Sequence, residues 1–373
     1  MRILIIGEYS AFAESLRKGF QRIGHYCFVF SWGDVFKEIP FESNTYLIKV
    51  SNYRIGKRRI RGSSLVRSII SSLKLHIKVK EMSKEEKFDV VLIINPAFLK
   101  VTNNILKPAF SKDMIYSLVR NRDAVFLSSC GNDYVFNSFL PYRKKTNEYS
   151  IWRHYDNIED SQGEFEYYMT FIHKVIPFNC DYAEAYRMKQ HLYNYKVYDS
   201  IPLPYDTDKT ESINILTGKI KILHGITRQH DKGSVFIITA MNMLKEKYPE
   251  RVELIFAKQL TLTQYLSVMK DANIVIDQCY GCGYGMNAIE ALAMGKVVLS
   301  GNEPENQKEM GCSDIPVVNI IPNVKQIFLA LEDLILNCDK IELLSVRSRK
   351  YAESVHSCQV VAQRYIETFS NNQ

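Results

Sequence analysis

This sequence has no long apolar run and no regular cysteine spacing, and its first residues lead us to expect no signal peptide. No apolar run approaches the ~18 residues that a membrane-spanning helix needs. Met1–Gly7 is a short apolar segment that Glu8 follows at once, without the length or cleavage chemistry of a signal peptide. The eight cysteines are scattered rather than regularly spaced, so we expect reduced thiols in a cytoplasmic protein.

Signatures of a resident cofactor or metal are missing as well. Gly7 is not followed by the second and third glycines of a dinucleotide-binding fingerprint. Cys279 and Cys282 form a lone pair with no further cysteines or histidines at zinc-site spacing. Asp206 and Asp208 look like part of a metal-binding acidic triplet, but they follow a proline-rich hinge and are typical of a solvated turn. We therefore expect neither a cofactor nor a metal.

The composition is that of a soluble globular protein, with 46% hydrophobic and 24% charged residues. A length of 373 residues suits two domains that each bury a core. The net charge of +7 is uneven, because the segment from Arg54 to Lys87 holds eleven Lys or Arg and only three Glu. This local excess requires a local explanation.

Ser63–Met82 is predicted to be an amphipathic helix within that basic segment. Its apolar residues recur at helical spacing: Leu65, Val66, Ile69, Ile70, Leu73 and Ile77. Basic residues lie among them: Arg67, Lys74, Lys78 and Lys80. The apolar stripe either packs on a sheet or rests on anionic lipid, where each basic residue contributes roughly 1 kcal/mol. Nucleic acid is the less favoured partner, because no recognised binding module accompanies the charge.

Strands and helices alternate in both halves of the chain, which predicts an α/β fold with parallel sheets. Arg2–Ile6, Ala11–Ile23 and Cys27–Phe30 open the chain as a βαβ unit. Beyond the hinge, the strand Lys221–His224 and the helix Ser234–Lys247 begin a second series of such units.

A glycine-rich turn organises the second half. Ala272–Asp277 predicts a buried strand, and three glycines between positions 281 and 285 permit a tight turn. Met286–Met294 predicts a helix, with Gly295 suited to the residue just past its end. The turn follows the carboxyl end of a strand, and the start of the helix directs N–H groups towards it, so an anion is the expected ligand.

Glu290 is the only charged residue of that helix and has apolar neighbours. A carboxylate in such a place has to be paired or hydrogen-bonded, since burying it alone costs several kcal/mol. It either forms a charge pair at the helix rim or accepts hydrogen bonds from ligand hydroxyls, most simply those of a ribose.

Two other turns carry candidate side chains. Arg228 and Lys232 stand four residues apart in a strand-to-helix turn, where they are either surface charges or ligands of phosphate oxygens. Asp133 lies in a polar turn after the predicted strand Ala124–Ser128. It is either a carboxylate that acts on a substrate hydroxyl or a helix cap.

The segment Glu290-Ala291-Leu292-Ala293-Met294-Gly295 after a glycine-rich turn resembles the donor-binding signature of GT-B glycosyltransferases. It is most similar to the family 4 retaining type of bacterial surface-glycan synthesis. That family carries an earlier glutamate, which contacts the donor sugar and which would fall at Cys282 here. Some members have an apolar residue there, preceded by Asp-Gln, as in Asp277-Gln278 of this chain.

The resemblance implies two Rossmann-like domains that face each other across a cleft. The first domain would span residues 1–204 and the second residues 205–356, with a C-terminal helix at about 357–373 that crosses back. The implied reaction is metal-independent sugar transfer with retention, from a nucleotide-diphosphate donor to a glycan or lipid-linked acceptor. The nucleotide sugar is then a substrate rather than a cofactor.

The resemblance also implies residue roles. Arg228 and Lys232 would hold the donor diphosphate and act catalytically, by stabilising the charge that builds on it as the sugar leaves. Other donor contacts would come from the backbone of the glycine-rich turn and from the Glu290 carboxylate on the ribose. That backbone set comprises Gly283, Tyr284, Gly285, Met286 and Asn287. The family places its first loop on the acceptor side of the cleft, and in this chain that loop is Gly7, Glu8, Tyr9 and Ser10. Asp133 is the candidate catalytic carboxylate there.

Two alternatives remain open at this point. One is a nucleotide-sugar 2-epimerase of the same fold, which needs no second substrate. The other is a non-catalytic protein that binds a nucleotide or a lipid surface, which the missing acid at Cys282 favours. For the transferase we expect a cytoplasmic protein with peripheral contact to the inner face of the cell membrane.

Overall fold

The computed structural model describes residues 1–33, 44–49, 54–55, 58–59, 63–85, 87–99, 110–131, 133–139, 158–226, 232–258 and 260–371. Two parallel sheets, of seven and five strands, dominate these residues and are flanked by helices. The predicted α/β fold with two Rossmann-like units is therefore confirmed.

The first half contains nine strands and six helices among the described residues. The strands are β1 (Arg2–Ile6), β2 (Tyr26–Ser31), β3 (Thr45–Leu47), β4 (Arg54–Ile55), β5 (Arg58–Arg59), β6 (Val90–Ile94), β7 (Val125–Ser129), β8 (Lys174–Pro177) and β9 (Lys196–Val197). The helices are α1 (Phe12–Arg22), α2 (Ser63–Glu85), α3 (Lys112–Leu118), α4 (134–139), α5 (Ile158–Met169) and α6 (Cys180–Tyr193).

The first sheet has the strand order β3-β2-β1-β6-β7-β8-β9, and every pair in it is parallel. All residues of β6 and β7 are buried, which is typical of a parallel sheet with both faces covered. The strand order reverses between β1 and β6. Such a reversal opens a crevice at the carboxyl ends of the two strands, where Gly7 and Asn95 follow.

The second half contains five strands and seven helices among the described residues. The strands are β10 (Ile220–Gly225), β11 (Val252–Ala257), β12 (Ile274–Ile276), β13 (Val297–Ser300) and β14 (Val317–Asn319). The helices are α7 (Ser234–Lys247), α8 (Leu262–Asp271), α9 (Met286–Ala293), α10 (Pro304–Glu309), α11 (Val324–Leu336), α12 (Cys338–Tyr351) and α13 (Cys358–Ser370).

The second sheet is parallel, with the order β11-β10-β12-β13-β14. Its strand order reverses between β10 and β12, which are direct neighbours. Lys232 follows β10 and Asp277 follows β12, so both residues border the crevice at this reversal.

The last helix, α13, packs on the first half. The rings of Phe126 in β7 and Phe369 in α13 have centroids 4.9 Å apart, and the Ser128 and Tyr365 hydroxyls lie 3.1 Å apart. A Cβ at Gly19 of α1 would overlap the carbonyl group of Cys358. The absent side chain therefore permits α1 and α13 to cross in direct contact.

The hinge is tied to the segment that precedes α13. The Tyr205 N–H donates to the His356 carbonyl at 2.7 Å, and the Cys358 N–H donates to the Tyr205 carbonyl at 2.9 Å. Asp206 and Asp208 form salt bridges with Arg22 of α1 at 2.7 and 3.0 Å. The interpretation of these acids as a solvated turn was thus wrong for Asp206, whose side chain is only 13% exposed. It anchors the hinge to α1.

Helix α2 is confirmed, but the face that it buries differs from the predicted stripe. Its buried residues are Ser68, Leu75, Val79 and Met82. Its exposed apolar residues are Val66, Ile69, Ile70, Leu73 and Ile77, which range from 37% to 62% exposed. Packing on a sheet therefore does not explain this stripe; the Leu65 side chain lies outside the described residues. Among the helices described here, none has the length and apolarity to cross a bilayer.

Candidate functional site

A buried ion pair joins the turns that follow β10 and β12. The Lys232 Nζ donates a 2.8 Å hydrogen bond to Oδ1 of Asp277, and the two side chains are 9% and 3% exposed. Asn287, in the first turn of α9, donates from Nδ2 to the same oxygen at 3.0 Å. The three residues come from three segments that meet at the reversal of the second sheet.

The turn geometry explains how Lys232 reaches this position. Gly233 has φ +70°, which L side chains rarely adopt, and a Cβ there would collide with Sγ of Cys279. The Cys279 N–H donates to the Lys232 carbonyl at 3.0 Å. The two turns are therefore fixed to each other by a glycine and by a backbone hydrogen bond.

Asp277 is held ionised within this group. Burial raises its pKa, but the Lys232 ammonium and the hydrogen bonds from Lys232, Asn287 and the Gly285 N–H outweigh it and leave the pKa below its usual value. An ionised Asp277 aligns Lys232 and is an acceptor for the start of α9. Sequence reasoning noted Asp277 only as half of the Asp-Gln pair; its position directly after a buried strand was the available signal.

Glu290 belongs to the same group. It lies one turn after Asn287 on α9 and is 2% exposed. The Tyr265 hydroxyl donates to Oδ1 of Asn287 at 2.6 Å. Burial raises the pKa of Tyr265, and the nearby Glu290 and Asp277 carboxylates add to that rise. Hydrogen bonds thus connect Lys232, Asp277, Asn287 and Tyr265, and Glu290 lies near enough for its charge to act on Tyr265. These five residues are called the α9 polar group below.

The buried side chain of His224 supports the α9 polar group. The sequence analysis did not identify this residue. Its ring is fully buried, with Nδ1 2.8 Å from the Ile276 carbonyl and Nε2 2.9 Å from the Ser234 hydroxyl. The carbonyl partner requires a proton on Nδ1, so Nε2 accepts from Ser234. Burial lowers the pKa of His224 to about 4, and Lys232 adds to that decrease. The neutral ring links β10, β12 and α7.

The glycine-rich turn presents backbone rather than side chains to the α9 polar group. Gly285 caps α9 without a side chain, and its N–H is the one that Asp277 accepts. The Tyr284 hydroxyl instead lies 2.8 Å from that of Tyr351 and 3.1 Å from Nε2 of His356. The donor contact of the Tyr284 backbone stays a prediction, and its hydroxyl is engaged elsewhere. The Met286 side chain is buried.

The Gly283 amide is engaged from the other half of the chain. Oδ2 of Asp181, at the start of α6, accepts the N–H groups of Cys282 and Gly283 at 3.1 and 3.4 Å. Nearby, Arg187 of α6 forms two hydrogen bonds to the Glu309 carboxylate, of 2.7 and 2.9 Å. The first half of the chain therefore meets the glycine-rich turn directly, which sequence spacing gave no means of predicting.

Arg228, the second predicted diphosphate ligand, lies outside the described residues. The structure therefore brings together Lys232, Asn287 and Glu290 of the predicted donor set, together with the backbone of Gly285. The role of Arg228 stays a prediction.

The acceptor-side loop lies at the reversal of the first sheet. Gly7 has φ +110°, and a Cβ there would collide with the Phe98 ring. Glu8 is buried, and its two carboxylate oxygens accept the N–H groups of Ala13 and Glu14 at 3.2 and 3.0 Å. Its carboxylate thus stabilises the start of α1.

The remaining residues of that loop lie beside the turn after β7. A Cβ at Gly131 would lie 2.7 Å from the Tyr9 ring, so the two turns are in contact. Ser10 takes a left-handed conformation at φ 52°. Both turns follow carboxyl ends of the same parallel sheet, which is where such sheets bind ligands.

The Asp133 carboxylate accepts hydrogen bonds from within the protein. Oδ1 accepts the Phe136 N–H at 2.8 Å, as a cap of α4, and Oδ2 accepts the Tyr186 hydroxyl at 2.8 Å. Burial raises the pKa of Asp133 to about 6, against the effect of these hydrogen bonds. The helix-cap arrangement is therefore present, and the structure places Asp133 against α4 and α6 rather than in the α9 polar group. Its catalytic role stays a prediction.

This chain is similar to known proteins in its structure. No protein-family model matches the sequence, and no curated protein matches it. Sucrose-phosphate synthase from Thermosynechococcus elongatus matches with a TM-score of 0.60 at 10% identity, over 100% of this chain and 99% of that one. HepE of Anabaena in complex with UDP and glucose matches with a TM-score of 0.59 at 11% identity, over all of both chains.

A glycosyltransferase from Rickettsia africae ESF-5 matches with a TM-score of 0.55 at 12% identity, over 99% of this chain and 98% of that one. At identities of 10–12%, these structural matches establish that the folds are alike. The chain therefore has the GT-B type fold of these proteins, two Rossmann-like units with parallel sheets, as the sequence predicted.

Proposed function

We propose that this protein is a glycosyltransferase that takes its sugar from a UDP-sugar donor. The observation that carries the proposal is the α9 polar group, which places the Lys232 cation, the start of α9 and the buried Glu290 carboxylate near the reversal of the second sheet. The structural neighbour HepE is named in complexes with UDP and with UDP-glucose, which supports a uridine nucleotide here.

The proposed donor contacts follow from the chemistry of each group. An ammonium such as that of Lys232 has three donors, and Asp277 takes one, so Nζ retains donors for phosphate oxygens. The start of α9 adds backbone N–H groups and the positive end of a helix dipole. The Glu290 carboxylate, one turn along, is suited to accept hydrogen bonds from ribose hydroxyls.

Catalysis would rest on the leaving group. As the sugar–phosphate bond breaks, negative charge builds on the departing UDP, and fixed positive groups stabilise that charge more than they stabilise the bound donor. Lys232 and the start of α9 provide such groups from this chain, and Arg228 would add a bidentate one. Asp277 acts as a positioning residue, because it holds Lys232 without touching the substrate.

The acceptor would be a glycan or a lipid-linked glycan presented by the first half. The loop Gly7–Ser10 and the turn at Gly131 lie side by side at the reversal of the first sheet. A lipid-linked acceptor is supported by α2, whose apolar stripe is exposed beside Lys74 and Lys80. We propose that this stripe rests on an anionic bilayer, with the basic residues near the lipid headgroups.

Nucleotide binding gives the first test. UDP, GDP, ADP and CMP are added separately to the full chain, and the midpoint of thermal unfolding is recorded. A ligand that binds the folded state raises the midpoint by mass action, and we expect UDP to raise it most. Lys232→Ala should abolish the UDP response, whereas Lys247→Ala, a change of an exposed lysine at the far end of helix α7, should keep it.

Turnover gives the second test. The chain is incubated with UDP-glucose, with and without a lipid-linked glycan acceptor, and free UDP and the sugar products are measured. Acceptor-dependent release of UDP supports the transferase. Conversion of the donor to an epimer without any acceptor would replace the transferase with a 2-epimerase. An equal thermal response of the wild type and Lys232→Ala to UDP would remove the diphosphate role of Lys232.

A further inference from the structure

Three buried metal-ligating side chains meet where α6 touches the glycine-rich turn. Cys180 and Asp181 open α6 in the first half, and Cys282 lies in the turn of the second half. Their two Sγ atoms and one carboxylate oxygen lie within 4.8 Å of one another. The three residues are 2%, 5% and 4% exposed.

The carboxylate of this cluster is held in place by the turn that carries the third ligand. Oδ2 of Asp181 accepts the N–H groups of Cys282 and Gly283 at 3.1 and 3.4 Å. Metal-binding carboxylates are commonly oriented by such hydrogen bonds, and a carboxylate has lone pairs enough to accept them and to coordinate as well. The arrangement therefore fixes Asp181 relative to Cys282 before any ion binds.

The neighbouring cysteine is excluded from the cluster by its own contacts. The Sγ of Cys279 lies 3.5 Å from the Gly233 carbonyl oxygen and 3.7 Å from that of Lys232. Cys279, the sequence neighbour of Cys282, is thus not one of the three clustered ligands. Cys180, about a hundred positions earlier in the chain, takes the place of Cys279 beside Cys282.

We propose that Cys180, Asp181 and Cys282 form a zinc site that joins the two halves of the protein. Two thiolates and one carboxylate are ligands that Zn²⁺ takes in tetrahedral geometry, with a fourth position for water. Magnesium and calcium prefer oxygen ligands and do not suit this set. On binding, each cysteine thiol releases one proton to solvent and forms one Zn–S bond, and no oxidation state changes.

This site goes beyond the proposed function and does not depend on it, because the zinc contacts neither Lys232 nor the leaving group in the proposal. Its ligands come from both halves, so it is complete only while α6 and the glycine-rich turn are in contact. Zinc binding should therefore favour that contact by mass action.

Metal retention by the full chain tests the proposal directly. The reduced protein is stripped with a chelator, loaded with Zn²⁺ or Co²⁺ under reducing conditions, desalted and analysed for metal content. We expect one ion per chain, with a sulfur-to-cobalt charge-transfer absorption for Co²⁺. Cys180→Ser and Cys282→Ser should lose the ion, and Asp181→Asn should weaken binding by about tenfold or more. The control Cys338→Ser removes an exposed thiol outside the cluster and should bind as the wild type does.

A second measurement uses the wild type alone, so its result does not depend on whether the variants fold. Alkylation of each thiol is followed over time by mass spectrometry, with and without Zn²⁺. Zinc should slow the reaction of Cys180 and Cys282 and leave that of Cys338 unchanged. Labelling rates that zinc does not alter, or equal metal retention in the wild type and in both cysteine variants, would overturn the site. Loss of UDP binding with metal retention intact would count against the transferase and leave the zinc site standing.

Discussion

Lys232 and Asp277 form an ion pair that is almost fully removed from solvent, with Nζ 2.8 Å from Oδ1. Taking two charges out of water is costly, and breaking such a pair by removing one partner leaves an uncompensated buried charge. We therefore expect Lys232→Met to lower the free energy of unfolding by about 3–5 kcal/mol. Denaturant unfolding monitored by circular dichroism measures this change.

The matched control for this prediction is the double variant Lys232→Met with Asp277→Asn. It removes both charges, so most of the lost stability should return. UDP binding should stay lost in both variants, because the cation is absent from each. A Lys232→Met protein as stable as the wild type would show that the pair carries no such energy.

Glu290 gives a prediction about ribose. Glu290→Gln keeps the shape of the side chain and removes a charged acceptor, and hydrogen bonds to charged groups are worth roughly 1.5–3 kcal/mol. We expect the variant to bind UDP at least about tenfold more weakly, since tenfold corresponds to ~1.4 kcal/mol. Pyrophosphate has no ribose, so its binding should not change. Calorimetric titration measures both ligands, and equal weakening of the two would contradict the ribose contact.

Asp133 gives a prediction about pH and stability. Its folded-state pKa of about 6 lies above the ordinary value of 3.8, so the folded protein holds an extra proton between these pH values. The free energy of unfolding should therefore fall as pH rises through this window, by about 3 kcal/mol from roughly two pKa units at 1.36 kcal/mol each. Asp133→Asn retains a helix cap and lacks this titration.

The measurement compares Asp133→Asn with the wild type at pH 4 and pH 7. From pH 4 to pH 7, the free energy of unfolding of Asp133→Asn should rise relative to that of the wild type. The control variant Asp339→Asn, at an exposed carboxylate, should show no such relative rise. The catalytic prediction is separate. If Asp133 accepts a proton from the acceptor, turnover rises with pH through about 6 in the wild type and is lost in the variant. Unchanged turnover would leave Asp133 as a helix cap.

Two buried histidines of the second half, His224 and His356, give the opposite pH dependence. Burial lowers the pKa of His224 and of His356 to about 4, below the ordinary value of 6.5. The unfolded chain then binds protons that the folded protein does not, so stability falls as pH falls from 6.5 towards 4. Each histidine should cost about 3 kcal/mol over that range.

His356→Gln separates this effect from the contribution of Asp133. Its amide retains a donor for the Leu203 carbonyl and an acceptor for the Tyr284 hydroxyl, and it does not titrate. The variant should lose less stability than the wild type between pH 6.5 and 4, as measured by denaturant unfolding at each pH. His191→Gln, at an exposed histidine on α6, serves as the control. Parallel curves for the wild type and His356→Gln would rule out this role.

The sequence predicted those structural features that depend on residues close to one another in the chain. The unit from β12 through the glycine-rich turn to α9 follows from a buried strand, three glycines and a run of helix formers, all local signals. Lys232 and Glu290 were placed in one region by the resemblance to GT-B glycosyltransferases. The sheet agrees with it, because Lys232 lies in one strand-to-helix turn and Glu290 in the helix that follows another. Where such turns meet follows from strand order, and βα patterns indicate that order.

Contacts between segments that are far apart in the chain could not be predicted from sequence patterns. Asp181 lies 102 positions from the Gly283 N–H whose hydrogen bond it accepts, and no sequence pattern at either residue indicates the other. For a related reason, the sequence left open whether the apolar stripe of α2 packs on a sheet or rests on lipid. Helical spacing shows which apolar residues share a face, and α2 has two such faces. One contains Leu75 and Val79, and only packing against the rest of the chain shows that this one is buried.

The exposed stripe of α2 gives the last prediction. Leu73 and Ile77 are 62% and 60% exposed, close to Lys74 and Lys80. Burying a side chain of this size in an apolar phase is worth roughly 1.5–3 kcal/mol. Changing both to serine should therefore weaken binding to vesicles with anionic lipid by at least about tenfold. Co-sedimentation with vesicles of phosphatidylglycerol and phosphatidylcholine measures the partition.

A matched control comes from α12, where Leu343 and Val346 are exposed to a similar extent, 60% and 70%, in the second half. Changing both to serine should leave vesicle binding as in the wild type. Because the attraction of the basic residues is screened by salt, binding should weaken as ionic strength rises and should be poor on pure phosphatidylcholine. If the α2 variant binds vesicles like the wild type, or if the stripe instead mediates a dimer that gel filtration detects and the variant abolishes, the bilayer is not what covers it.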